Sequence, residues 1–236
     1  MIDIHMHIIP GVDDGACTLE MAEEMLNMTV SQGIDTIITT SHSDAFLRDA
    51  KAVRDSYENL EKMVEANNLP VKLHLGCEVY CEVDNMEVVL GGLSAGRIPT
   101  MNGTKYVLAE FYEVTKEDAL YCVERLLENG WIPILAHVER YLDVDIESVA
   151  RMKEMGCLVQ VNVYSVYEES KDIIKERARE LLRREIVDFM GSDAHRIDHR
   201  PPAVEKGIAH LYEHYAKGYV DRILEWNAKE ILIQQK

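Results

Sequence analysis

Short apolar runs typical of buried β-strands alternate with helical patterns along the whole chain. The first strand begins at Ile2, and six further runs of this kind follow it. We predict these six strands over Ile34–Thr40, Val71–Tyr80, Lys105–Phe111, Ile132–Ala136, Leu158–Val163 and Ile186–Met190. About seven strand–helix units in succession, with no linker between them, predict an α/β barrel with a parallel sheet and one domain over residues 1–236.

The helical segments carry recognisable start and stop signals. Thr18 is a suitable N-cap for the first helix, and Gly33 is a suitable residue to follow its C-terminus. We expect a short helix and a loop over Val83–Gly96, and two or three helices after Pro201. The main helices are predicted over Leu19–Gln32, Ala45–Asn67, Glu117–Asn129, Ile146–Met155 and Lys171–Arg184.

Charge and composition narrow the classes of function. The 236 residues carry a formal net charge of −17, which disfavours nucleic-acid binding and would repel a phosphate substrate unless local cations attract it. No apolar run is long enough for a membrane span, and the N-terminus lacks the pattern of a signal peptide. The five cysteines are odd in number and scattered, which favours a reducing compartment. We therefore expect a cytoplasmic protein that neither enters a membrane nor binds nucleic acid.

The spacing of the cysteines excludes the thiol mechanism of one large class of phosphatases. That mechanism needs an arginine six positions after the nucleophilic cysteine, in the pattern Cys-x5-Arg. The residues that stand six positions after the five cysteines are Glu23, Val83, Glu87, Glu128 and Val163. None is arginine, so we expect the cysteines to be packing residues.

Histidine and carboxylate side chains follow nearly every predicted strand. His5 and His7 are two residues apart on the first strand, so they face the same side. The other candidates stand at strand ends or in the first loop: Asp14, His42, Glu78, Glu110, His137, Asp193 and His195. The C-terminal ends of barrel strands converge on one face, where these groups would repel one another or lack partners without cations. The pattern predicts a centre of several divalent metal ions, because imidazole and carboxylate are the ligands of zinc, manganese and iron.

Four stretches that contain these residues resemble a known family. DIHMHIIPGVDDGA, GCEVY, AHVERY and GSDAHR with the following RPP occur in this order between Met1 and Pro202. Together they resemble the PHP (polymerase and histidinol phosphatase) family and, within it, the bacterial manganese-dependent tyrosine phosphatases of capsule and exopolysaccharide gene clusters. The resemblance implies a distorted (β/α)7 barrel and a phosphatase that hydrolyses phosphotyrosine by attack of a metal-bound hydroxide on phosphorus.

The resemblance also implies the cofactors and the partner. It implies three divalent ions, with manganese as the first choice and iron or zinc as alternatives. The ligands that it implies are His5, His7, Glu78 and Asp193 for the first ion, Glu78, Glu110 and His137 for the second, and Asp14, His42 and His195 for the third. The implied substrate is the tyrosine-rich tail of a bacterial tyrosine kinase that controls polysaccharide export.

Two arginines stand close to the predicted ligands. Arg140 follows His137 by three residues, and Arg200 follows His195 by five. The planar guanidinium fork suits phosphate oxygens, and the resembling phosphatases carry matching arginines. We expect Arg140 and Arg200 to bind the phosphate and to supply the local positive charge that the acidic chain lacks.

Three side chains are candidates for the group that protonates the leaving oxygen: Asp14, His42 and His199. A tyrosyl leaving group is a phenol with a pKa of about 10, so it needs less protonation than a serine alkoxide would. The sequence does not choose among the three.

Three other functions fit parts of the pattern. A phosphoesterase for histidinol phosphate or a nucleotide would use the same metal ligands and differ in its substrate-binding loops. An amidohydrolase-like barrel also begins with His-x-His, but it usually has a lysine where this chain has Glu78 and Glu110. A non-catalytic domain that binds metal or a partner protein would have lost several ligands, whereas this chain keeps all nine.

Overall fold

A computed structural model of the chain describes residues 1–167 and 171–233. Within these ranges, parallel strands alternate with helices, as the sequence predicts. The strands are β1 (Ile2–Met6), β2 (Thr36–Thr39), β3 (Lys72–Leu75), β4 (Glu78–Tyr80), β5 (Tyr106–Glu110), β6 (Ile132–Leu135), β7 (Leu158–Asn162) and β8 (Phe189–Gly191). The helices are α1 (Leu19–Ser31), α2 (Ser43–Ala66), α3 (Met86–Ser94), α4 (Lys116–Glu128), α5 (Ile146–Glu154), α6 (Asp172–Arg183), α7 (Glu205–His214), α8 (Lys217–Asp221) and α9 (Asn227–Leu232).

The strands form the wall of a distorted barrel. β1, β2 and β3 make one parallel sheet, and β4 to β8 make a second in chain order. Single bridges join the sheets at both seams, between His42 and Glu78 on one side and between Met6 and Ala194 on the other. β3 and β4 follow each other along the chain and together occupy one strand position next to β2. The eight strands therefore fill seven strand positions in the wall of the barrel. The (β/α)7 prediction is confirmed.

The prediction of one continuous third strand over Val71–Tyr80 is wrong, because the chain bends between β3 and β4. Gly76 N–H still donates to Thr39 O at 2.8 Å, and Glu78 N–H donates to Ser41 O at 3.2 Å. A Cβ at Gly76 would lie 2.8 Å from Cγ2 of Ile38, so this close approach requires glycine. β3 pairs with β2, whereas β4 pairs with β5, so the bend moves the chain from one sheet to the other. Glu78, the first residue of β4, therefore lies at the seam between the sheets.

The predicted helix signals agree with the structure at α1. The Thr18 side chain accepts a hydrogen bond from Met21 N–H at 3.2 Å, and Gly33 follows the helix with a φ of 82°. Over Val83–Gly96 a single 3₁₀ turn precedes α3, so this segment is more helical than predicted. The C-terminal part forms α7, α8 and α9, with π-helical geometry over Arg222–Trp226. Among the described helices, none combines the length and apolar character that crossing a membrane requires.

A compact apolar cluster fills the interior of the barrel. It takes side chains from strands all around the wall and from α9, including Ile4, Ile38, Leu108, Ile134, Phe189, Ala228 and Ile231. Burial of one large aliphatic or aromatic side chain contributes about 1.5–3 kcal/mol, so this cluster is a substantial part of the core. Next to this apolar interior, at the C-terminal ends of the strands, lie the buried histidines His5, His7, His137 and His195.

Candidate metal centre

All nine predicted ligands lie at the C-terminal mouth of the barrel. Their nitrogen and oxygen atoms form overlapping groups in which the atoms lie within 4.8 Å of one another. These groups are His5 with His7 and Asp193; His5 with Glu78 and His137; His42 with Glu78 and Glu110; and His7 with Asp14, His42 and His195. The structure therefore brings together all nine residues that the sequence predicts as metal ligands.

Glu78 lies in the middle of the cluster, between four imidazole rings. Its Oε1 is 3.1 Å from Nε2 of His5 and 2.9 Å from Nε2 of His137. Its Oε2 is 3.1 Å from Nε2 of His7 and 3.2 Å from Nδ1 of His42. Burial alone would raise the pKa of this carboxyl, but the surrounding histidines hold the pKa well below its usual value. Glu78 is a charged carboxylate with both oxygens directed at candidate ligands.

The outer part of the cluster is open to solvent. The Asp14 side chain is 60% exposed, and its Oδ1 lies 3.3 Å from Nε2 of His42 and 3.5 Å from Nε2 of His195. Glu110 lies 3.5 Å from both His42 and His137. Burial and the nearby Glu78 charge oppose ionisation of Glu110, but hydrogen bonds from these two histidines lower its pKa to about 2. Asp14, His42 and Glu110 are therefore the candidate ligands that keep exposed surface at the mouth.

The two predicted phosphate-binding arginines converge on a candidate ligand. Nη2 of Arg140 and Nη1 of Arg200 lie 2.9 and 3.0 Å from Oδ2 of Asp193. Arg200 also places Nη2 at 2.9 Å from Nε2 of His195. The pKa of Asp193 is far below its usual value, because electrostatic interactions with His5, Arg140 and His137 outweigh the effect of burial. Both guanidinium groups keep about a third of their surface exposed, at 37% and 35%, so they also face the mouth.

Three site residues have left-handed backbone conformations. The φ angles are 33° for His137, 52° for Asp193 and 54° for Arg200. Residues other than glycine adopt this region at a cost of about 1–3 kcal/mol, so the surrounding contacts must hold them there. Such strain is concentrated at functional sites in proteins, and here the strained residues place two candidate ligands and an arginine in one cluster.

The contacts of His5 and His7 show how the donor set fits cations. Nδ1 of His5 contacts Oε1 of Gln160, and Nδ1 of His7 contacts Oδ2 of Asp13, both at 3.1 Å. Since these oxygens can only accept, each ring donates from Nδ1 and directs Nε2 inward, where the two Nε2 atoms are 3.3 Å apart. Two such nitrogens beside the two carboxylate oxygens of Glu78 require a proton or a metal ion between them. The residues fit a metal centre, since an acceptor behind each ligating imidazole is a regular feature of such sites.

Several buried polar residues support the cluster and were not predicted as site residues. Asp13 accepts from the backbone N–H of His42 at 3.1 Å, in addition to its contact with His7. Gln160 and Asn162 lie on β7, and Asn162 donates to Asp193 at 2.9 Å. The sequence contains an indication that Gln160 and Asn162 have a role at the site, because these two amide side chains interrupt an otherwise apolar buried strand.

The third candidate for the proton donor lies apart from the other two. The side chain of His199 is exposed, and the backbone of His199 pairs with that of Arg196 in the loop after β8. Asp14 and His42, in contrast, are both part of the metal-ligand groups. The geometry therefore favours Asp14 or His42 over His199.

Several known proteins are similar to this chain over nearly its whole length. The family model for capsular polysaccharide synthesis, CpsB/CapC, matches residues 1–233. The tyrosine-protein phosphatase CpsB of Streptococcus pneumoniae is 29% identical over 245 aligned positions, which cover 100% of this chain and 99% of that protein. CpsB of Streptococcus agalactiae is 31% identical over 242 positions, with 98% of each chain covered. One chain from the crystal structures of YwqE from Bacillus subtilis and CpsB from Streptococcus pneumoniae, described as metal-dependent tyrosine phosphatases, matches with a TM-score of 0.89 and 28% identity, covering 100% of this chain and 96% of that one.

Proposed function

This chain belongs to the CpsB/CapC family of capsular polysaccharide synthesis, and from this premise we propose that it is a metal-dependent protein-tyrosine phosphatase. It hydrolyses phosphotyrosine to tyrosine and phosphate. The observation that carries the proposal is the convergence of nine metal-type ligands and two arginines at one open mouth. A site with this composition matches the chemistry of phosphate-ester hydrolysis and contains no thiol nucleophile.

In the proposal, the cluster holds three divalent ions, with manganese as the first choice. Imidazole and carboxylate ligands without a thiolate accept manganese, iron or zinc, and the chain's donor set has this character. We assign His5, His7, Glu78 and Asp193 to the first ion, Glu78, Glu110 and His137 to the second, and Asp14, His42 and His195 to the third. The four-fold contact of Glu78 with histidines supports a bridging role for this carboxylate.

Ions in such a centre supply a nucleophilic hydroxide near neutral pH and polarise the phosphate oxygens. The chain itself contributes Arg140 and Arg200, which bind the oxygens of the transferring phosphoryl group. Arginine stays protonated in proteins, so the pair provides fixed positive charge at the mouth of an acidic molecule. The N–H groups of Arg140 that do not contact Asp193, and those of Arg200 that contact neither Asp193 nor His195, are available to the phosphate from the solvent side.

The leaving tyrosyl oxygen receives its proton from Asp14 or His42 in this proposal. Oδ1 of Asp14 and Nε2 of His42 are 3.3 Å apart at the outer edge of the cluster, where a substrate's leaving group would face solvent. A phenolate with a pKa of about 10 leaves more readily than an alkoxide, so a weak or partly ligated acid is sufficient.

The openness of the mouth supports a peptide substrate over a small metabolite. Asp14, Arg140 and Arg200 are all partly exposed while they belong to the site, so the phosphate-binding surface is accessible from solvent. We propose the tyrosine-rich tail of a bacterial kinase as the physiological substrate, with the reaction in the cytoplasm and the result a change in capsular polysaccharide synthesis. The family's role in capsule synthesis supports this assignment.

The experiment that tests the function compares phosphate release from three substrates with manganese and with chelator. We expect chelator-sensitive release from a phosphotyrosine peptide, and little release from a phosphoserine peptide or histidinol phosphate. His137→Ala and Asp193→Ala should lose turnover and bound metal together. His214→Ala is the matched control, because this exposed histidine lies on α7 outside the described metal-ligand groups.

Two results would contradict the proposal in different ways. Preference for histidinol phosphate would keep the metal centre but make the protein a metabolic phosphoesterase. Full activity of His137→Ala or Asp193→Ala would show that catalysis does not require the metal centre.

A further inference from the structure

β7 contributes none of the nine candidate ligands, although the chain after each of its neighbours, β6 and β8, does. Instead it carries Gln160 and Asn162, which are both buried and face the same side of the strand. We propose that these two amides form a directional hydrogen-bond relay that sets which atoms of His5 and Asp193 face the metal. The inference rests on the metal centre of the proposed function and assigns the two amides a positioning role.

The orientation of the Gln160 amide is fixed by a backbone donor. Its Oε1 lies 2.8 Å from the backbone N of His137 and 3.1 Å from Nδ1 of His5. A backbone N–H can only donate, so the amide atom that faces it must be the oxygen. The same oxygen therefore accepts from Nδ1 of His5.

The orientation of Asn162 follows from that of Gln160. Nε2 of Gln160 donates to Oδ1 of Asn162 at 2.8 Å, which leaves Nδ2 of Asn162 to donate to Oδ2 of Asp193 at 2.9 Å. Each amide has one accepting and one donating end, so the chain of hydrogen bonds runs in one direction from His5 to Asp193. Reversal would set the Gln160 NH2 group against the backbone N–H of His137.

The relay specifies one atom at each of its ends. His5 is held as a donor at Nδ1, so Nε2 is the atom available to a metal ion. Oδ2 of Asp193 accepts from Asn162 and from both arginines, so Oδ1 is the oxygen that remains for the ion. Oδ1 of Asp193 lies 3.5 Å from Nε2 of His5 and 3.7 Å from Nε2 of His7, in the arrangement that a shared ion requires.

The packing around β7 leaves room for the relay and anchors it. A Cβ at Gly191 on the adjacent β8 would lie 2.9 Å from Cβ of His5 and 3.1 Å from Nε2 of Gln160. On the other side, buried Glu139 accepts from the backbone N–H of Asn162 at 3.2 Å and from the Ser165 hydroxyl at 2.6 Å. β7 is therefore held from its backbone while its amides face the ligands.

The test uses Gln160→Met, Gln160→Glu and Asn162→Asp in the full chain, with manganese affinity measured by calorimetry on metal-free protein. Gln160→Met removes the acceptor behind His5 and should weaken manganese binding by about 10–100-fold. Gln160→Glu keeps that acceptor and should restore part of the affinity. Asn162→Asp replaces the donor to Asp193 with a second carboxylate and should weaken binding by a similar factor.

The matched control for Asn162→Asp is Asn102→Asp. Oδ1 of Asn102 lies 3.1 Å from Nδ1 of His74, as Oε1 of Gln160 does from Nδ1 of His5, but the Asn102–His74 pair lies outside the described metal-ligand groups. We expect its manganese affinity to stay within about twofold of the unaltered chain. Thermal unfolding of the metal-free variants separates lost packing from lost ligand orientation.

A second readout needs neither metal nor activity. The buried Nδ1–H of His5 should give a slowly exchanging proton signal in 15N-labelled protein, and Gln160→Met should abolish it while Gln160→Glu retains it. Unchanged manganese affinity in both Gln160→Met and Asn162→Asp, or an unchanged His5 signal in Gln160→Met, would overturn the relay. An unaltered chain that binds no manganese would instead contradict the proposed function.

Discussion

Arg140 and Arg200 are sixty residues apart in the chain, yet their guanidinium groups meet at one oxygen, Oδ2 of Asp193. A charged carboxylate oxygen holds both arginines near the candidate metal ligands and leaves the rest of each guanidinium group facing the mouth. In the proposed site, Oδ2 of Asp193 holds the two arginines, and Oδ1 is available to a metal ion. In the proposed function, this arrangement orients the two arginines for phosphate before a substrate arrives.

Replacement of these arginines should separate phosphate binding from metal binding. In Arg140→Lys or Arg200→Lys the planar fork is lost, and we expect kcat/KM for a phosphotyrosine peptide to fall about 10²–10³-fold with metal content unchanged. Steady-state kinetics with metal analysis measures both quantities. Arg196→Lys is the control, since Arg196 pairs with Asp198 on the same loop and should change kcat/KM less than about twofold. Equal losses in all three variants would argue against a specific role.

Metal binding should release protons at neutral pH. Burial lowers the pKa of His137, but hydrogen bonds with Glu110 and Glu78 outweigh this and raise it to about 10. His137 is therefore protonated at pH 7 in the metal-free protein and must lose its proton to bind a cation. Calorimetry in two buffers of different ionisation enthalpy should reveal proton release, and manganese affinity should increase from pH 6 to pH 9. A pH-independent affinity would contradict ligation by His137.

The pKa shifts of His137 and Glu110 also determine how the free energy of unfolding of the metal-free protein depends on pH. The raised pKa of His137 gives stability that is complete below the unfolded pKa of about 6.5 and is lost as pH rises through about 10. The lowered pKa of Glu110 gives stability that is present above its unfolded value of about 4.3 and is lost as pH falls through about 2. Urea unfolding of chelated protein between pH 2 and pH 10 should therefore show its maximum near pH 5–6.

Exposed apolar side chains at the mouth should contribute to peptide binding. Tyr112 follows Glu110 by two residues, and it is 72% exposed; Leu142 follows Arg140 at the same spacing and is also exposed. Contact of a substrate peptide with an aromatic side chain contributes about 0.5–1.5 kcal/mol, so Tyr112→Ser should raise KM by about 2–13-fold and leave kcat unchanged. Tyr212→Ser, which alters an exposed tyrosine on α7, is the control. An effect of Tyr112→Ser on kcat or metal content alone would contradict a substrate contact.

The bend between β3 and β4 should be sensitive to one methyl group. In Gly76→Ala the new Cβ would lie 2.8 Å from the Ile38 side chain, and we expect a loss of about 1–3 kcal/mol in the free energy of unfolding. Gly91→Ala in α3 adds the same methyl group where nothing lies within 4 Å, and should stabilise the protein by about 0.5–1 kcal/mol. Urea unfolding measures both, and similar effects in the two variants would contradict the steric explanation.

Local patterns were sufficient to predict most of the elements. The alternation of apolar strands with amphipathic helices is a property of neighbouring residues, and it predicted the parallel α/β barrel. The split of the third strand could not be predicted in this way, because Val71–Tyr80 reads as one strand. The close approach of Gly76 to Ile38 on β2, which accompanies the bend, is visible only in the tertiary structure.

The sequence by itself determined the candidate ligands, because eight of the nine stand at or near a strand end, Asp14 lies in the first loop, and barrel topology brings strand ends together. It also excluded a Cys-x5-Arg mechanism by spacing alone. Only the tertiary structure decided that Glu78 contacts four imidazoles, that Arg140 and Arg200 share one oxygen of Asp193, and that β7 supplies Gln160 and Asn162 behind the ligands. These relationships depend on strand register and on left-handed backbone at His137 and Asp193, which are fixed by contacts between residues far apart in the chain.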